Sequence, residues 1–179
     1  MDAIEFGAIL SPRKVGVVAG LHVDPEHVRQ AQRAREPQAT FSACFGAPFM
    51  PRHPSVYADL LRTKMKEHNT QAWLLNTGWS GGPYGVGARM SIKHTRRLLN
   101  AILDGTLSRG DFTVDERFGV EVPLACPGVP DNVLQPRQTW TDKDAYDSTA
   151  NKLAALFVDN FRQFEAGCDP AVVASGPRL

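Results

Sequence analysis

Asn76-Thr77-Gly78-Trp79-Ser80-Gly81-Gly82-Pro83-Tyr84-Gly85-Val86-Gly87-Ala88-Arg89-Met90 decides how this chain is read. Just before it lies the apolar run Ala72, Trp73, Leu74 and Leu75, which does not alternate and so predicts a strand over 72–76 buried on both faces. Just after it Ser91 is an allowed N-cap, and Gly105 supplies a stop for the helix between them. Strand, glycine loop and helix start is the arrangement in which a backbone comes close to a nucleotide or another anion.

The loop contains a false friend. Gly82-x-x-x-x-Gly87-Ala88-Arg89 has the glycine spacing of a phosphate-binding loop but lacks the Lys-Ser/Thr that would hold phosphates and magnesium. The plain alternative is a turn whose glycines supply positive φ angles. Charge sharpens the question, because Arg89, Lys93, His94, Arg96 and Arg97 crowd a helix start that is already partly positive. Each such cation is unfavourable there by roughly 0.3–1 kcal/mol before screening. Either an anion or aromatic ligand sits opposite them, or they form a solvated basic face paired with acids elsewhere. Arg89 could lay its flat guanidinium on a base. Thr95, one turn past Ser91, offers a hydroxyl to a ring nitrogen. Trp79 is either a pocket shield or a core tryptophan.

Working outward, a helix fits 55–68, with Val56, Leu60, Leu61 and Met65 as its inward stripe and Asn69 as its stop. The helix after Ser91 turns Ile92, Leu98, Leu99, Ile102 and Leu103 inward. Phe112, Val114, Phe118, Val120 and Val122 at spacing two predict one or two strands. A last helix over 143–165, capped by Thr141 or Asp142, carries Tyr146, Leu153, Leu156, Phe157, Phe161 and Phe164 on a face that must dock on something. Phe41 to Gly46 reads as a strand or buried turn, whereas residues 1–35 give weak, inconsistent signals.

The 179 residues suffice for one domain with a core. A formal net charge of +1 argues against bulk electrostatic binding to nucleic acid or membranes. No apolar run approaches the ~18 residues that cross a bilayer. Cys44, Cys126 and Cys168 lack metal spacing and read as reduced thiols in a cytoplasmic setting. His22 and His27 do not form a metal motif, and His53 has no visible partner. No nucleophilic triad or carboxylate pair emerges from spacing, so no residue is assigned a catalytic or metal-binding role.

From Glu36 to Leu179 the sequence closely resembles the carboxyl-terminal part of ATP-dependent phosphoenolpyruvate carboxykinase. The matching blocks are 36–47 (EPQATFSACFGA), Asn76 to Trp79 with Gly81 to Gly87, the helix start Arg89-Met90-Ser91-Ile92-Lys93-His94-Thr95-Arg96, and the ending Ala174-Ser175-Gly176-Pro177-Arg178-Leu179. The resemblance implies an α/β fold, part of the mononucleotide-binding domain, with a mixed sheet, flanking helices and a long carboxyl-terminal helix. It implies the conversion of oxaloacetate and ATP to phosphoenolpyruvate, carbon dioxide and ADP, an early step of gluconeogenesis. Mg2+ accompanies the nucleotide in that family and Mn2+ the substrate. Arg89, Met90 and Thr95 would then be contacts around the adenosine of ATP. Cys44, which by itself reads as a buried small hydrophobe, would match a cysteine near the active site that is reactive in some members but is not the catalytic group. Ala88 stands where lysine is often expected.

Much of the family's machinery has no counterpart in this sequence. There is no Gly-Lys-Thr or Gly-Lys-Ser anywhere, nor the metal-organising aspartates, the manganese lysine and histidine, the oxaloacetate arginines or the lid before Glu36. Phosphoryl transfer depends on positioning and charge neutralisation by such groups. Residues 2–10 weakly resemble an upstream family segment and 11–35 read as foreign to the fold. The expectation is a truncated or rearranged product: an atypical segment 1–35, then 36–179 from the nucleotide-binding domain. Such a chain would bind ATP or ADP without turning over oxaloacetate, or would survive as an interaction module that self-associates through unburied apolar surface.

Overall fold

The computed structural model describes residues 49–75, 78–82 and 85–179. The expectations for segment 1–35, the 41–46 strand, Cys44, His22 and His27 lie outside the described residues.

Helix α1 (Pro54–His68) begins with proline in its first turn, where a missing N–H costs nothing. His53 caps it, accepting from the Ser55 amide, and its Nδ1 lies 2.8 Å from Ser55 Oγ. Asn69 ends the helix in the left-handed region (φ 48°), donating its N–H to Met65 O. The limits agree with the sequence, but the inward stripe does not. Met65 is buried while Leu60 and Leu61 are each 58% exposed. The neighbours of α1 reach it through polar and edge contacts that leave those leucines uncovered. Arg62 pairs with Asp169 at 2.8 Å, and the His53 ring meets Phe164 edge-on at 5.9 Å.

Residues 71–75 are not a strand, which corrects the first expectation. A doubly buried strand needs paired neighbours and covered faces, and no described strand pairs with this segment. Trp73 and Leu75 instead pack on the core, and Leu74 between them stays 42% exposed. Strands β1 (Trp79–Ser80) and β2 (Ala88–Arg89) then close the glycine loop as an antiparallel pair. The Met90 amide extends that pair by donating to Gly78 O at 2.8 Å.

Helix α2 (Ile92–Leu103) follows at once, with Ser91 Oγ accepting from the His94 amide. Gly105 (φ 75°) stops it, as expected. Its inward face is narrower than the sequence suggested. Leu98 and Ala101 are buried, but Ile92 (71%), Leu99 (44%) and Leu103 (77%) face outward. A short 3-10 turn (Leu107–Arg109) leads to the hairpin β3 (Phe112–Val114) and β4 (Glu121–Pro123), paired Phe112 to Pro123 through Val114 to Glu121. Asp115 cuts the alternation by accepting from the Arg117 and Phe118 amides, so Phe118 sits in the turn.

Two short helices, α3 (Asp131–Leu134) and α4 (Pro136–Thr139), precede the long α5 (Lys143–Glu165). Of the two expected caps Asp142 is the one used, accepting from the Asp144 and Ala145 amides. A last turn, α6 (Pro170–Val173), is capped by Asp169. The aromatic face of α5 docks largely on the chain itself. Tyr146 meets Trp140 (5.6 Å, 75°) and Phe157 meets Phe118 (6.2 Å, 83°).

Helices and strands are mixed, as expected, but both described sheets are two-stranded and antiparallel. Each strand is only two or three residues long and pairs with its hairpin neighbour, a connection that enforces antiparallel geometry. The main core gathers Leu98, Ala101, Leu107, Cys126, Val129 and Leu134 between α2 and α3. A smaller one holds Trp140, Tyr146 and Ala150.

Candidate functional site: the glycine loop and the start of α2

Three glycines shape the loop between β1 and β2. Gly81 (φ 85°) and Gly85 (φ 86°) occupy the left-handed region. At Gly87 a Cβ would come within 2.8 Å of Ser80 O and closer still to Gly82 O. The backbone of the loop therefore folds against itself where only glycine fits. Ser80 Oγ also donates to Thr139 Oγ1 at 3.3 Å, which ties β1 to α4.

The hairpin register sets Trp79 opposite Arg89. The Arg89 guanidinium carbon lies 4.8 Å from the centre of the Trp79 ring, a cation–π contact. Sequence reasoning missed this partnership. The signal for it was positional: two residues equidistant from the centre of a tight loop face each other once the flanks pair.

Met90 is half-buried and packs against the main core, which fixes the backbone between Arg89 and the cap at Ser91. The Thr95 hydroxyl donates to Ser91 O at 3.2 Å. In this rotamer its hydrogen is engaged, and the oxygen offers a ligand an acceptor. The three expected contacts thus stand on one continuous hairpin-to-helix segment. Arg89, Lys93, Arg96 and Arg97 form no ion pair among the described residues, so the basic face is not neutralised by acids there. Arg97 lies across Gly128, where an added Cβ would sit 3.6 Å from the arginine Cδ, an ordinary contact distance.

Ion pairing is concentrated elsewhere. Asp147 on α5 is held by Arg137 (2.8 Å) and Arg117 (2.9 Å), and Arg117 also donates to Asn151 at 2.7 Å. Hydrogen bonds from Arg137 first, then Arg117, keep the Asp147 carboxyl below the usual carboxylate range. The Arg178 amide donates to Arg117 O at 2.7 Å and seats the tail beside this cluster. Burial, with Asp104 nearby, pushes the Cys126 thiol up, and Cys168 is raised chiefly by burial. Neither is an activated nucleophile. Among the described residues no group of three or more His, Cys, Asp or Glu could hold a metal ion. An open hollow of about 650 Å³ lies on α1, lined by Arg62, Thr63, Lys66 and Glu67, and not on the loop.

The site is thus a self-packed glycine turn, a stacked arginine and a helix start whose cations form no ion pair among the described residues, in a chain of mixed helix and strand. Comparison with known proteins narrows this. The sequence profile of the family described as phosphoenolpyruvate carboxykinase matches residues 27–132, reaching back ahead of Glu36. A protein from Geotalea uraniireducens is 59% identical over 137 residues, covering 76% of this chain and 26% of that relative. Proteins from Mesorhizobium japonicum and Brucella suis biovar 1 are each 56% identical over 144 residues, 80% of this chain and 27% of theirs. All three relatives are named phosphoenolpyruvate carboxykinase (ATP). This chain belongs to the phosphoenolpyruvate carboxykinase (ATP) family. It spans about a quarter of the length of the curated relatives it matches. Among the described residues no helix is long and apolar enough to cross a membrane.

Proposed function

We propose that this chain carries the adenosine-facing wall of an ATP-dependent phosphoenolpyruvate carboxykinase, with Arg89, Met90 and Thr95 as the nucleotide contacts. On this reading residues 36–179, with the stretch from 27 that the family profile also matches, are the carboxyl-terminal part of the nucleotide-binding domain, the atypical segment ahead of it is confined to residues 1–26, and the setting is cytoplasmic. The observation that carries the reading is the unneutralised cluster Arg89, Lys93, Arg96 and Arg97 around a capped helix start, beside a loop only glycines can form. Cations held near a helix N-terminus without acidic partners are unfavourable unless an anion offsets them. An adenine nucleotide supplies that anion together with a flat ring for Arg89.

The described residues fit a nucleotide better than they fit the family's metals. Mg2+ and Mn2+ need clustered carboxylates or histidines, and the described residues bring no such group together. No lysine follows the loop glycines to neutralise a transferring phosphate. The carboxykinase reaction, with oxaloacetate and phosphoenolpyruvate, therefore belongs to the complete machinery. This chain alone binds nucleotide and does not turn over. Calorimetry with ATP tests the binding: wild type gives saturable heat and Arg89→Ala weakens it, whereas equal heats in both would end the assignment. A coupled assay with oxaloacetate, ATP and both metals tests the rest, and turnover above a mock preparation would contradict it.

A second reading has its own observation. Leu60 and Leu61 on α1, with Leu103 and Ile92 on α2, are exposed apolar side chains of the kind that drive association. Self-association through these faces predicts a mass above the monomer by light scattering, reduced in Leu60→Ser/Leu61→Ser. A monomeric wild type would remove this reading and leave the nucleotide reading untouched.

A further inference from the structure

We infer that Trp79 is the platform that holds the Arg89 guanidinium flat, so that its outer face can stack on the base of a purine nucleotide. The inference rests on the nucleotide reading above, which already places Arg89 at the nucleotide, and adds Trp79 to it as a positioning residue. Four observations support it together. Trp79 and Arg89 face each other in the β1–β2 register, and directly opposed residues of an antiparallel pair project from the same face of the sheet. The guanidinium carbon sits 4.8 Å over the ring, inside cation–π range. Arg89 forms no ion pair among the described residues, so no carboxylate competes with the ring to orient it. Arg89 is also exposed while Trp79 is half-buried, so the cation is the more solvent-accessible member of the pair.

The physical gain is preorganisation. A free arginine has many rotamers to lose when it stacks on a ligand, and a guanidinium already lying on an indole has fewer. The loop keeps the pair in place, since Gly87 packs under Ser80 O and the Met90 amide bonds Gly78 O beyond the pair. Indole has the strongest cation-binding face of the side-chain rings, so phenylalanine should keep part of the effect and leucine none.

The test uses the full chain, as wild type labelled for NMR of the arginine side chains and as three variants: Trp79→Phe, Trp79→Leu and Arg89→Ala. In the ligand-free protein the Arg89 Hδ and Hε protons should be shifted upfield by the indole ring current, and Trp79→Leu should abolish the shift. In calorimetry Trp79→Leu should weaken ADP about two- to fivefold, the exposed cation–π range. Trp79→Phe should recover part of that loss, and inorganic pyrophosphate should bind Trp79→Leu as it binds wild type. An absent ring-current shift overturns the platform. So does a Trp79→Leu protein that loses ADP and pyrophosphate equally, because that marks a merely structural role. A wild type that binds no ADP, or an Arg89→Ala that binds it unchanged, instead overturns the nucleotide reading and with it the stacking role, even with the ring-current shift intact.

Discussion

Replacing Leu134 by alanine should cost this protein about 3.5–4.5 kcal/mol of stability, and the figure follows from where the side chain sits. Leu134 is 0% exposed, at the end of α3, in one cluster with Leu98 and Leu107, each 1% exposed. The truncation removes three carbons. At ~0.8 kcal/mol per buried methylene the transfer loss is roughly 2.4 kcal/mol. Leu98 and Leu107 are held by α2 and the 3-10 turn after it, so the void closes only in part and adds roughly another 1–2 kcal/mol. Met90, Trp73 and Leu75 pack on the edge of the same cluster, so the loss also loosens the anchor of the segment that follows Arg89. Urea unfolding followed by tryptophan fluorescence measures it, with Leu60→Ala as the control. Leu60 is 58% exposed on α1, so its truncation should change stability by less than about 0.5 kcal/mol. A cost at Leu134 below about 1 kcal/mol, or an equal cost at Leu60, would refute the placement of the core between α2 and α3.

Further predictions concern the loop and the ion pairs. Gly87→Ala drives a Cβ into the Ser80 and Gly82 carbonyls, so hydrogen exchange at the Met90 amide should lose its protection. Gly85 has open space around it, and Gly85→Ala should keep the hairpin at a left-handed cost of about 1–2 kcal/mol. Asp147 has a folded-state pKa lowered by Arg137 and Arg117. Its contribution is therefore present above the ordinary carboxylate pKa and lost as pH falls through the depressed folded value. Acid unfolding of wild type should show that loss, and Asp147→Asn should flatten the limb; identical acid profiles would remove the cluster from the account.

How far the sequence could be read depended on whether the deciding interaction was local. Asn69 and Gly105 end helices through left-handed backbone and Ser91 and Asp142 begin them through side-chain caps, and each does so where the sequence indicates. Burial is a property of neighbours, and there the reading strayed. Leu60, Leu61 and Leu103 have helical spacing but nothing described to cover them. Residues 72–75 have the apolar content of a central strand without the paired edges that make one. At the site, the loop and the cation cluster are legible from composition alone. The stacking of Arg89 on Trp79 depends on hairpin register, and the edge contact of His53 with Phe164 joins residues far apart in the chain. Neither is a motif that a linear pattern displays.

The most direct measurement is to titrate the isotope-labelled chain with ADP and follow its backbone amides. Shifts that saturate and concentrate between Gly85 and Thr95, with α1 and the Asp147 cluster unmoved, are what an adenosine-facing wall requires. Saturable shifts centred on the α1 hollow, or no shifts at millimolar ADP, would contradict it.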